Sequence, residues 1–117
     1  MSPASTPVKA TNYSGIYWQK GKHAWRVLIR CRAAMKGIHF GYYDDPADAA
    51  WVADFARYMI FGVDVRNWHF TAGRPNFPPR GNNNVARAAI VHKLLSRNVL
   101  RADKLHRNLL QYDASCH

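Results

Sequence analysis

Read in twos from Ala24, the chain places Trp25, Val27, Ile29 and Cys31 on one side of an extended segment and Arg26, Leu28, Arg30 and Arg32 on the other. Side chains alternate across a strand, so this segment has one face to bury and one face that carries three guanidinium groups. A shorter alternating run, Ile16-Tyr17-Trp18-Gln19, precedes it, and another, Ile38-His39-Phe40-Gly41-Tyr42, follows. Three short runs in succession predict a small antiparallel sheet. Gly21-Lys22-His23 is polar and contains glycine, which suits the first hairpin connection. The pattern breaks over 33–37, and Lys36-Gly37 is read as the second turn, a basic hairpin tip.

Past Tyr43 the period changes to that of a helix. Asp45 can cap, Pro46 suits the first helical position, and Asp48 in the first turn favours the dipole. The helix is expected over 46–61, stopping at Gly62. Its Ala49, Ala53, Ala56 and Ile60 side is mostly methyl-sized, which lets the axis approach the apolar sheet face of Trp25, Val27 and Ile29. Trp51, Phe55 and Tyr58 fall on the other side, and such a group of large aromatics marks a contact. Asp54 and Arg57, spaced i,i+3, are read as a pair worth roughly 0.2–0.5 kcal/mol.

The segment 63–79 reads as irregular, anchored by Trp68, Phe70 and Phe77 and stiffened by Pro75, Pro78 and Pro79. Residues 80–84 read as a linker into two helical stretches, 85–96 and 102–112. The connection around Arg97-Asn98 lacks a clear glycine turn, so a helix-turn-helix is only weakly signalled, and these basic helices are equally suited to grip a nucleic-acid backbone beside the sheet. Amphipathic helices of this length do not stand alone in water. They are expected to fold back on the Trp51/Phe55/Tyr58 stripe, with self-association through them as the competing use. Residues 1–12, with Pro3, Pro7 and several Ser and Thr, read as a disordered leader. The organisation is therefore a leader, an α+β domain over 13–79 (three-stranded antiparallel sheet packed on one helix), a linker, and a C-terminal helical extension over 85–117.

Charge narrows the function. Lys and Arg number 17 against 7 acidic residues, all aspartate, for a net charge of +10 and a pI of about 10.1. Small domains this basic meet nucleic acid or an anionic membrane. No apolar run approaches the roughly 20 residues needed to span a bilayer, so no membrane partner is expected. Cys31 and Cys116 are far apart and imply no disulfide framework, which fits a reduced intracellular compartment. Six histidines invite a metal, but no Cys-x-x-Cys or His-x-x-x-His pair occurs, so neither metal nor cofactor is expected. A metal nuclease needs clustered carboxylates, whereas Asp44, Asp45 and Asp48 suit a helix start; no enzyme is expected. The arginine face remains, with no acidic residue between Tyr13 and Tyr43. Side chains two apart on a strand are about 6–7 Å apart, comparable with phosphate spacing. An arginine there can also fork onto guanine O6 and N7. The candidate contacts to double-stranded DNA are Tyr17, Gln19, Lys22, Arg26, Arg30, Arg32, Lys36 and His39.

The stretch 13–78 resembles the plant-type Apetala-two/ethylene-response-factor DNA-binding domain. The resemblance is carried by Tyr13-Ser14-Gly15-Ile16, Gly21-Lys22, Trp25, Ile29-Arg30, Ile38-His39-Phe40-Gly41-Tyr42-Tyr43-Asp44, Ala49-Ala50, Asp54 and Asn76-Phe77-Pro78, in that order and spacing. It implies a sheet laid in the major groove and a role as a transcription factor, in the nucleus of a eukaryote or otherwise in the cytoplasm or nucleoid. Related modules accompany prokaryotic and phage nucleases, so a non-specific accessory of a nuclease or recombinase is the alternative, and a protein-interaction domain a third. Arg30 matches a family arginine that reads the duplex. His39 stands where the family has tryptophan; Tyr17, Gln19, Ser14 and Gly37 stand at arginine positions and Leu28 at a glutamate position.

Overall fold

A computed structural model describes residues 11–31, 34–68, 72–81 and 84–116, without the side chains of 34–36. The leader reading of 1–10, the side chains of Arg32 and Lys36, and the Phe70 anchor lie outside the described residues. The α+β expectation holds. Strands β1 (Ile16–Gln19), β2 (Ala24–Cys31) and β3 (Ala34–Tyr43) form one antiparallel sheet in the order β1-β2-β3. Helix α1 (Pro46–Phe61) backs the sheet, and α2 (Asn84–Ser96) and α3 (Ala102–Ser115) follow.

The first connection is as expected. A 3-10 turn at Lys20–Lys22 ends on His23 in the left-handed region, and Gln19 pairs with Ala24. The second differs. Cys31 pairs with Ala34, so the strands reverse between them and Lys36-Gly37 lies inside β3 rather than at the tip. The physical reason is a pair of bulges. Between Cys31 and Ile29 the partner strand advances from Ala34 to Ile38, and between Leu28 and Arg26 from His39 to Tyr42. Gly37 (φ +86°) and Gly41 (φ +102°) supply the positive φ that these irregularities take up. A glycine inside a strand looks like a turn in sequence; here it is a bulge.

Inside the sheet lie Ile16, Trp25, Val27, Ile29, Ile38 and Phe40, all buried against α1. Trp18 meets Trp25 edge-on, with ring centroids 5.3 Å apart. Asp45 caps α1 by accepting from the Ala47 amide at 2.8 Å, and Gly62 ends it. The helix is buried on both sides, which is why it is apolar nearly all round.

The aromatic side is covered from within the chain. Trp51 stacks on Phe55, Phe55 meets Tyr112 of α3 edge-on, and Tyr58 packs on Tyr112 and Trp68. Asn108 donates to the Met59 carbonyl at 2.7 Å, satisfying one of the free carbonyls at the end of α1. The Trp51 indole and the Tyr112 hydroxyl both donate to the Arg80 carbonyl, so this part of the expected linker is bound in place. Burial pushes the Tyr58 phenol up to about 12, with Asp54 adding to it. Helix α2 ends without glycine because Asn98 takes the left-handed position (φ +53°) and the Val99 amide bonds back to the Leu94 carbonyl.

Asp54 and Arg57 are not the exposed pair that their spacing alone suggests. They are 2.9 Å apart, with side chains 3% and 1% exposed. Asp54 also accepts from the amides of Asn76 and Phe77, and Arg57 donates to the carbonyls of Ala72 and Ser14. Burial pushes the Asp54 carboxyl above the usual range, opposed by these donors. The pair joins the start of β1 to the loop after α1, aided by Asn76, which accepts from the Ser14 amide and donates to the Ser14 carbonyl.

Candidate nucleic-acid interface

The outer sheet face is built in rows across the strands. Tyr17, Arg26 and Tyr42 stand opposite one another, and Leu28 opposes His39. Tyr17 (51%) and Tyr42 (39%) are among the exposed large hydrophobic side chains of the described residues. Arg30 is exposed; Gln19, Arg26, Leu28 and His39 are half-buried. The sheet therefore brings Tyr17, Gln19, Arg26, Arg30 and His39 to one surface, as the alternation requires. Lys22 reaches it from the first turn, its Nζ 4.9 Å from the centre of the Tyr42 ring. The backbone of Lys36 belongs to β3.

Tyr42 is the residue that the sequence pattern misses. Plain alternation from Ile38 puts Tyr42 on the buried side, with Phe40. The bulge at Gly41 turns it outward, where its ring meets His39 at 4.7 Å. The signal was present: a glycine within an aromatic strand marks a bulge and a change of face.

The electrostatics of this face are one-sided. Burial and then Arg26, Lys93 and Lys22 hold the His39 imidazole below its ordinary value of 6.5. Arg26 Nε and His39 Nε2 are buried without a hydrogen-bond partner among the described residues. Lys93 of α2 donates to the His39 carbonyl and lies 5.8 Å from the centre of the Phe40 ring. Sequence spacing places Lys93 on a separate helix, so its arrival here is a second contribution that the pattern does not reveal. Chemically the surface offers guanidinium and ammonium donors, an imidazole whose charged form is disfavoured and two phenols around flat apolar area. Such a surface suits phosphate and base edges together.

Among the described residues no group of three His, Cys, Asp or Glu side chains could hold a metal ion, and no helix is long and apolar enough to cross a membrane. No protein-family model, curated protein or solved structure matches the chain.

Proposed function

We propose that this protein binds duplex DNA through the outer face of its sheet, laid in the major groove, and acts as a transcriptional regulator. The observation that carries the reading is the cross-strand cluster Tyr17, Arg26, Tyr42 and His39, rimmed by Lys22 and Arg30. Among the described residues it gathers cations with no acid paired to them, in a segment that has none from Tyr13 to Tyr43. Like charges gathered on one face cost free energy, which an arriving phosphate relieves. The orphaned Arg26 Nε and His39 Nε2 leave hydrogen-bonding capacity for a ligand. The resemblance to the Apetala-two/ethylene-response-factor domain adds the groove and the regulatory role.

A second reading rests on a specific observation. Of the positions compared with that family, Arg30 alone keeps its base-reading arginine, while Tyr17, Gln19 and His39 are replacements. That favours a surface that holds the backbone without choosing a sequence, as an accessory of a nuclease or recombinase would.

Selection of bound sequences from a random duplex pool at physiological salt, with wild type and Arg30→Ala in parallel, separates the two. A recurring motif that blurs in the variant supports sequence reading. Binding with no motif, lost as salt rises, supports the accessory role. No binding sinks both.

A further inference from the structure

A three-stranded sheet has a definite width. Neighbouring strands are about 4.8 Å apart, so the outer two are separated by roughly 10 Å, against a major groove about 12 Å wide. A sheet lying in the groove fills it, and whatever stands beyond an edge strand meets the phosphodiester rail. β3 is an edge strand of this sheet. At this strand α2 makes a contact from the C-terminal extension, the Lys93 amine donating to the carbonyl of His39.

Lys93 uses one of its three donors there, leaving two. One helical turn further on is Arg97, exposed and close enough that its charge, after burial, disfavours the Lys93 ammonium. Neither has an acidic partner among the described residues, and α2 contains no aspartate or glutamate. Arg87, by contrast, is spent on Asp113 of α3 at 2.8 Å. Lys22, Arg26 and Lys93 thus gather about His39, and Arg97 extends the group past Lys93.

We infer that Lys93 and Arg97 grip the DNA backbone alongside the groove, making the C-terminal extension part of the interface. This rests on the DNA-binding reading above and extends its footprint to a second element.

The test is the salt dependence of duplex binding by the full chain, between about 50 and 200 mM salt, for wild type, Lys93→Gln, Arg97→Gln and the double variant. Each phosphate contact contributes roughly 0.9 to the log–log slope. The slope is expected to fall by about that much in each single variant and by about twice that in the double. Arg101→Gln, which removes an exposed cation paired with Asp103, should leave it unchanged. Arg97 is exposed, so its variant keeps the fold even if Lys93→Gln loosens the edge. Wild-type slopes in Arg97→Gln and the double variant, with binding still weakened by Arg30→Ala, overturn this inference and leave the sheet reading standing. Absence of binding by wild type overturns both.

Discussion

His39 stands between a phenol ring and three cations, and its imidazole is worth following alone. Burial, Arg26 and Lys22 from the sheet side and Lys93 from α2 all disfavour its charged form. The folded pKa is therefore below that of the unfolded chain. Such a group contributes stability that is fully present above the unfolded value and is lost as pH falls below it and through the lower, folded value. Urea midpoints measured at about pH 7.5 and pH 5.5 should show wild type losing more stability on acidification than His39→Gln. An equal loss in the two proteins would mean that the imidazole is free of its neighbours. Arg26, Arg30 and His39 were legible on one face because strand alternation is local. Tyr42 was not: its side of the sheet depends on a bulge, and a bulge depends on how two strands pair.

Helix α1 shows the same division at the level of an element. Its start and stop were readable, because Asp45, Pro46 and Gly62 act on the backbone beside them. The role of Asp54 and Arg57 was not, since their partners Ser14 and Asn76 lie far along the chain in both directions. Spacing shows that two charges can meet; burial decides what the meeting is worth. A buried pair that loses one partner costs about 3–5 kcal/mol, against a few tenths for an exposed one. Asp54→Asn keeps the shape and strands the Arg57 guanidinium. It should lower the unfolding free energy, measured in urea, by an amount in the larger range, a substantial part of the roughly 5–15 kcal/mol a domain commands. A loss of a few tenths would return the pair to a surface role.

Across the whole molecule, the extension completes the core that the sheet and first helix begin. Tyr112, Leu105 and Asn108 of α3 are buried, with Tyr112 against the aromatic side of α1 and Asn108 bonded at its end. Self-association through this apolar side would require undocking it. The aromatic stripe pointed to that docking in the sequence, while the placement of Lys93 at the sheet edge emerged only from the assembled fold. Removing residues after Pro79 should uncover Trp51, now 1% exposed. Acrylamide quenching of tryptophan emission should rise and the emission shift to the red. An unchanged spectrum would show that α3 contributes no cover.

The bulge at Gly41 also governs which changes of chain length β3 can absorb. Between the rows Leu28–His39 and Arg26–Tyr42, β3 spends three steps where β2 spends two. Deleting Gly41 should therefore leave Tyr42 facing outward opposite Arg26 and straighten the strand, at the expense of the Tyr43 hydroxyl bond to the Phe40 carbonyl that spans the bulge. Losing His39 or Phe40 instead removes a face or core side chain outright. Substitution is strained here: a Cβ at Gly41 would stand 3.2 Å from the Tyr43 hydroxyl oxygen on a backbone that side chains rarely adopt. At this point in the strand, length and identity are separate constraints: the pairing of the strands sets the first and the positive φ the second.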